Sequence, residues 1–466
     1  MIILLIYLWA GMPYKTRILV CLLILNLLRG TLYCITIPLW QGPDEHLHFE
    51  HVKLLTYRNF PNSLTHNQWH QEIRATISQS LMKHTFWDFQ NINSQKFLSE
   101  NRAFVRSELR QPPLYYSICA FLLNVSHLKS IESEVYLLRI FSTILGTVVV
   151  YLGYAITKEI FPTEGVLQIG VPMFITFLPQ YTIMSSSINN DKFAEVLFSL
   201  LLLLLVRSVR YRTTVLKALS ILAIVVMGIQ TKTTFLAAIP LCLLFWLLPG
   251  THRKTAHICS PLMLLLVGIG VLGGLLYIKN ISFLRVIEHY TGMNLQHFGN
   301  LIHDEVNTFP AHIRKYAFYF YLLLSGFWAR FGWLKISLHK NWYYMLFVVD
   351  SVGIAGLGMY GVKVLKNDII LESWQKKSLF LLASCVGFVL LQVCIRDNLG
   401  GTTTPHSRLL FVAIVPISLF FMVGIHTWMH TVHCPQVLAV LACALAGFDA
   451  MCFYCYIIPL YYGIGA

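Results

Sequence analysis

Charge is scarce in this chain, and negative charge is scarcest. Asp, Glu, Lys and Arg make up 12% of its 466 residues, where a soluble domain carries about 25%. Acids number 21 against 35 Lys and Arg. With a hydrophobic share of 56% and a mean hydropathy of +0.63, a soluble enzyme is excluded. Nucleotide chemistry lacks its usual marks: the short basic loops hold no Walker sequence and no glycine-rich turn after a strand. The eleven cysteines are scattered, mostly inside apolar runs, so they read as small buried hydrophobes and not as a disulfide framework. A net charge of +14 marks membrane insertion here and not nucleic-acid binding, because short Lys- and Arg-rich loops stay on the cytoplasmic side. Such a surface also suits anionic lipid. The apolar run Met1 to Ala10 precedes Lys15 and Arg17. That is the reverse of a cleavable signal, and an interfacial segment is expected.

What is abundant is apolar sequence in long runs. A spanning helix needs about 20 largely apolar residues. Candidate spans are 18–39, 136–157, 165–187, 191–207, 214–231, 233–249, 258–278, 341–362, 378–395, 408–428 and 435–460, about eleven helices in an all-α polytopic fold. The chain is read as one integral-membrane domain, 1–466. Basic clusters orient it: Arg207, Arg210, Arg212 and Lys217; Arg253 and Lys254; Lys363, Lys366, Lys376 and Lys377; and Lys15 with Arg17 all belong on the cytoplasmic side. Parity then demotes the run after Pro112-Pro113-Leu114-Tyr115-Tyr116 to an interfacial helix, with the prolines in its first turn and the tyrosines at headgroup depth. Residues 40–135 become one extracytoplasmic loop and residues 279–340 a second. Every polar constellation falls on that side.

The first of these is Gly42-Pro43-Asp44-Glu45-His46-Leu47-His48-Phe49, directly after the first span. Ionisable groups at a membrane boundary are functional candidates. Asp44 and Glu45 are the best candidate base for taking a proton from a sugar hydroxyl; Asp44 after Pro43 also suits a helix N-cap. His46, His48, Asp44 and Asp191 supply ligand types for a divalent ion, Mn, Mg or Zn. Against a metal, histidines two apart do not share a helix face. Asn189-Asn190-Asp191 reads as a helix cap or as a second acid. Lys232, between two apolar runs, and Arg408, in Pro405-His406-Ser407-Arg408, are snorkelling cations or phosphate contacts. Phe327-Trp328-Ala329-Arg330-Phe331-Gly332-Trp333 is an aromatic belt or a platform for a sugar or lipid tail, with Arg330 as the anion contact.

In this order, the acidic pair, Pro-Pro-Leu-Tyr-Tyr, the Asn-Asp turn, the junction lysine and the late arginine resemble the GT-C superfamily. Its members are integral-membrane glycosyltransferases that use polyprenyl-phosphate-linked sugars. The closer likeness is to the bacterial membrane family catalogued as domain of unknown function 2142, carried by Pro43 to Phe49, Gln111 to Tyr116, Leu178-Pro179 through Asp191, and Phe327 to Trp333. One departure stands out. The family's late arginine precedes a tyrosine, and here Arg408 precedes Leu409. The resemblance implies a GT-C-like bundle and transfer of a sugar from a polyprenyl phosphate or diphosphate to an extracytoplasmic glycan, lipid or protein, at the bacterial inner membrane. It implies Asp44 as general base, Glu45 assisting or orienting, and Asp191 as a second acid. Lys232 and Arg408 would stabilise the departing phosphate and Arg330 would guide it. His48, Tyr115, Tyr116, Asn189, Trp328 and Trp333 complete the expected substrate-binding set. Two alternatives stay open: a flippase of lipid-linked saccharides, and a non-catalytic subunit of an envelope-polymer assembly.

Overall fold

The computed structural model describes residues 13–56, 66–86, 111–211, 213–248, 309–332, 336–399, 407–432 and 436–463. The run Met1 to Ala10, the span 258–278, Arg253, Lys254, Trp333 and most of the 279–340 loop lie outside them.

The described chain is almost wholly helical. In order it runs α1 (Tyr14–Thr36), α2 (Glu45–Leu55), α3 (His66–Lys83), α4 (Leu114–Ser126), α5 (Ile131–Ile160), α6 (Gly165–Thr176), α7 (Pro179–Ser185), α8 (Asp191–Arg210) and α9 (Val215–Ile229). A 3-10 turn (Thr233–Ala237) leads into α10 (Ala238–Leu247), and α11 (Phe309–Trp328) into a hairpin of β1 (Arg330–Phe331) and β2 (Ile336–Ser337). Then follow α12 (Lys340–Leu365), α13 (Ser373–Leu399), a 3-10 helix (Ser407–Ala413), α14 (Ile414–Val432) and α15 (Val437–Cys452). A π turn (Phe453–Ile457) joins α15 to α16 (Ile458–Tyr462).

Among the described residues six helices are long and apolar enough to cross a membrane, or seven if the bent pair α6–α7 is one span. The expected count of about eleven is not reached there. Runs that look continuous in sequence are broken in space. The candidate spans 214–231 and 233–249 fold as helices of 15 and 10 residues on either side of Lys232, and α8 is long enough but carries Asp191, Lys192, Glu195, Arg207 and Arg210. The segment expected to lie in the interface is a 13-residue helix, α4. At 1.5 Å per residue it reaches about 20 Å, short of a hydrocarbon core of about 30 Å.

The break between α6 and α7 is written locally. Pro179 opens α7, and a residue before proline is pushed out of helical geometry. Leu178 is accordingly extended (φ −81°, ψ 108°) and the two helices meet at 64°. Arg29 of α1 repairs the break: its guanidinium bonds the Thr176 carbonyl and reaches Thr182 Oγ1 at 3.2 Å. Backbone groups at a helix break inside a membrane need such a partner. Arg29 also pairs with Asp449 on α15, with Nε 2.9 Å from Oδ2, and the Tyr33 hydroxyl donates to Asp449 Oδ1 at 3.0 Å.

Glycine sets the packing of α12 on α14. A Cβ on Gly356 would strike the Gly424 carbonyl, and one on Gly424 would strike that of Gly353. Small residues allow this backbone approach, the usual device where helices meet in lipid.

The two ends of the bundle differ in charge. At one end Arg207 and Arg210 of α8 grip Glu159 at 3.1 and 2.9 Å, Lys15 packs on Gly165, and Gln375 donates to the Ile160 carbonyl at 2.8 Å. At the other end the chain leaves α1, enters α5 and opens α8. The 20 residues of α8 hold the ends about 30 Å apart.

Candidate functional site

The loop from Ile37 to Asp44 is held by Arg139, which no span-counting argument singled out. Its side chain is wholly buried and donates to the carbonyls of Cys34 (2.9 Å), Ile37 (2.6 Å) and Pro38 (2.9 Å). The same guanidinium takes Glu45 with both arms, Nε to Oε1 at 2.8 Å and Nη2 to Oε2 at 2.6 Å. Glu45 also accepts from the backbone N–H of Trp40 (3.1 Å) and Ile188 (3.1 Å). Its exposure is zero. A charge with every acceptor site engaged and no access to solvent ties the α1–α2 loop to the α7–α8 turn. An arginine inside an apolar run was a visible signal in the sequence.

Asp44 is built differently. It is non-glycine at φ +56°, the left-handed region, a conformation sparse for L residues and concentrated at functional sites. It stands at the N-cap position of α2, yet its side chain makes no cap bond. The expected cap is replaced by an ion pair: Oδ2 accepts from Arg408 Nη2 at 2.9 Å. Both side chains keep about a fifth of their surface open, 20% and 19%. Burial works to raise the Asp44 carboxyl, but Arg408 and the nearby His48 outweigh it and hold the group down at about 2.

Asp191 opens α8 and pairs with Lys232, with side-chain exposures of 5% and 10%. The turn before it is fixed by Asn189, whose Oδ1 accepts from the Asp191 N–H at 3.0 Å while its amide donates to the Met184 carbonyl at 3.0 Å and Ser187 Oγ at 3.1 Å. Asn190 donates to the Thr231 carbonyl at 3.0 Å, seating this turn beside Lys232. The Leu114 N–H donates to the Gln230 carbonyl at 3.0 Å, which brings the start of α4 to the same junction. Arg408 acts electrostatically on Asp191 as well as on Asp44. Four residues expected from sequence therefore form one constellation of alternating charge, from Asp44 and Arg408 at its open edge to Asp191 and Lys232 inside.

Arg330 adjoins it. Its backbone N–H donates to Gln180 Oε1 at 3.0 Å. Gly326 packs against the Ser407 side chain and, at 3.9 Å, would meet Arg330 Cδ, so Arg330 lies next to the residue before Arg408. Its Nε is buried without a hydrogen-bond partner among the described residues. Deeper still is a pair that sequence reasoning missed. Lys192 and Glu195 are fully enclosed and 2.8 Å apart, with the ammonium 3.9 Å above the Tyr181 ring. The i, i+3 spacing one residue after Asp191 was its signal.

Other expected members sit elsewhere. Trp328 is not a surface platform: it is 1% exposed, its Nε1 donates to Asp350 at 3.0 Å, and its ring packs edge-on to Phe174, Phe421 and Phe448. An indole with one polar partner gains more inside the bundle than at its rim. Tyr115 and Tyr116 are buried to zero exposure among protein side chains; Tyr116 stacks on His51 at 3.9 Å and its hydroxyl lies 2.8 Å from His48 Nδ1. They dock α4 on α2. The expected ligand set of His46, His48, Asp44 and Asp191 has separate partners: the Phe86 ring, the Tyr116 hydroxyl, Arg408 and Lys232. Among the described residues no three His, Cys, Asp or Glu side chains are grouped to hold a metal.

No match is found among curated proteins. Among solved structures the chain is similar to the Archaeoglobus fulgidus oligosaccharyltransferase in its apo form, with a TM-score of 0.51 at 11% identity over 97% of this chain. The matched region is 56% of that protein, so the chain spans little more than half its length. A structure titled archaeal oligosaccharyltransferase AglB from the same organism, in complex with an inhibitory peptide and a dolichol-phosphate, matches with a TM-score of 0.49 at 11% identity, over 96% of this chain and 56% of that one. The helical fold expected from sequence is thus similar to that of the first of these proteins. The model of the family described as predicted membrane protein (DUF2142) matches residues 27–404, and the chain belongs to that family.

Proposed function

We propose that the protein is a membrane glycosyltransferase that moves a sugar from a polyprenyl phosphate or diphosphate to an acceptor glycan, lipid or protein outside the cytoplasm. The observation that carries this reading is the charge constellation: a partly open carboxylate, Asp44, on Arg408, and the Asp191–Lys232 pair on which Arg408 also acts, at the end of the bundle away from the basic loops. The likeness to an oligosaccharyltransferase fold supplies the frame; the chemistry is argued from the residues. The side follows from charge, since the end rich in Lys and Arg belongs in the cytoplasm; a bacterial plasma membrane is the proposed setting.

In the proposed step, Asp44 takes the proton of an acceptor hydroxyl. The hydroxyl oxygen bonds to the anomeric carbon as the bond from that carbon to the phosphate oxygen breaks. The electron pair leaves with the phosphate, and fixed cations act where this negative charge grows. Arg408 and Lys232 fill that role, with Arg330 at the rim. One displacement inverts the anomeric centre and needs a single base, so Glu45 is left to its structural duty.

The test is glycosyl transfer by protein in nanodiscs, from a panel of polyprenyl-linked sugars, for wild type and Asp44→Asn. Turnover by wild type that drops at least a hundredfold in a folded Asp44→Asn supports the reading. Equal turnover removes Asp44 from the chemistry. Vesicle translocation of a lipid-linked saccharide that survives Asp44→Asn would favour the flippase reading.

A further inference from the structure

In the described structure each of the two expected phosphate contacts already holds a carboxylate. Arg408 is bonded to Asp44 at 2.9 Å and Lys232 to Asp191. Both acids arrive from backbone fixed by other means: Asp44 by the Arg139–Glu45 knot one residue on, and Asp191 by Asn189 and the α8 start. The acids therefore hold their places if the cations turn away. The cations are the adjustable members, since Lys and Arg carry long rotatable stems. Arg408 sits on a 3-10 segment and Lys232 at the junction before another. Beside them Arg330 keeps a buried Nε that no described residue satisfies, and buried donors are normally satisfied. A phosphate oxygen is an acceptor of the right kind.

We infer that Asp44 and Asp191 are the resident counter-anions of a phosphate subsite, and that the donor's phosphate or diphosphate displaces them from Arg408 and Lys232, so that donor binding is what frees Asp44 to meet the acceptor. The inference rests on the glycosyltransferase reading for its biological sense, and it adds an order: donor first, acceptor second. A carboxylate and a phosphate compete for the same guanidinium. The sign of a mutation therefore distinguishes a competitor from a support. If Asp44 competes with phosphate, removing its charge tightens phosphate binding. If Asp44 merely props Arg408 in place, removing it weakens binding.

The experiment measures binding of two probes to the full chain in nanodiscs: inorganic pyrophosphate, and a polyprenyl monophosphate carried in the bilayer. Wild type is compared with Asp44→Asn, Asp191→Asn, Asp44→Glu and Arg408→Gln, each checked by thermal melting. The expected result is at least fivefold tighter binding in Asp44→Asn and in Asp191→Asn, wild-type binding in Asp44→Glu, and at least tenfold weaker binding in Arg408→Gln. Tightening with both probes assigns the subsite to the phosphate group itself, and tightening with the lipid alone assigns it to a lipid headgroup. Unchanged or weaker binding in both Asn variants overturns the inference. Asp191→Asn keeps the test decisive if Asp44→Asn fails to fold. The tightening does not require turnover, so it stands or falls apart from the transfer assay above.

Discussion

Asp44 and Glu45 are neighbours of one residue type class, and their environments give them opposite work. Glu45 neutralises Arg139 in a site with no solvent. Removing one partner of such a pair leaves a buried unpaired charge, which costs about 3–5 kcal/mol. We expect Glu45→Gln to lose stability on that scale, read as a loss of folded protein in a detergent thermal-shift series, while Asp44→Asn, at a pair that keeps about a fifth of its surface open, melts below wild type by a smaller margin. A second prediction concerns acid. A carboxyl held at about 2 when folded, against an ordinary value near 4, contributes stability that is fully present above the ordinary value. That contribution is lost as pH falls through the folded one. The difference in melting temperature between wild type and Asp44→Asn is therefore flat above pH 5 and closes between about pH 4 and pH 2. A difference that instead changed between pH 6 and 8 would put the titration elsewhere. The acidic pair was legible in the sequence as a candidate. Which member faces solvent was not, because that depends on Arg139, distant in sequence, and on the turn at Ile188.

At the scale of elements, the decisive features are breaks. Pro179 interrupts a run that reads as one span, and Lys232 stands at the junction between two shorter ones. Both breaks deliver polar backbone and side chains to one end of the bundle, which a continuous helix would bury against its neighbours. Proline announces the first in sequence. Arg29 and Asp449, which stabilise it, lie 420 residues apart, and no local rule connects them. Arg29→Met should deplete folded protein, because Asp449 and the Thr176 carbonyl lose their partner. Pairing it with Asp449→Leu should restore part of the yield, since a buried ion pair is often replaceable by apolar side chains when both members go. Size-exclusion recovery of the two single variants and the double measures this. A double variant no better than the worse single one would show that the carbonyl, not the charge pair, sets the cost.

At the scale of the whole molecule, orientation is open to direct measurement. Lys129 lies just before α5 at the candidate-site end, and Lys366 follows α12 among the basic loops; both are exposed. In a cysteine-free background, Lys129→Cys is expected to react with a membrane-impermeant maleimide added to intact cells, and Lys366→Cys only after permeabilisation. The reverse pattern would place the site in the cytoplasm and end the case for an extracytoplasmic acceptor. The background must be cysteine-free because Cys21, Cys443 and Cys455 are exposed in the described structure. Those positions were expected to be buried, and they fall on helix faces that turn outward, as a chain whose solvent is lipid permits.

Composition alone determined that this chain lives in a membrane and is helical, because hydrocarbon admits only self-satisfied backbones. The placing of basic residues set an expected orientation, and the order of short motifs named Asp44, Asp191, Lys232 and Arg408 as candidates. Only the tertiary structure decided that these four meet, with Asp44 on Arg408 and Asp191 on Lys232. It also decided that Trp328, Tyr115 and Tyr116 pack inside and that Glu45 is locked away. The physical reason is range. Periodicity and propensity act over a few residues, whereas an ion pair between residues 364 apart exists only once the bundle has closed around it.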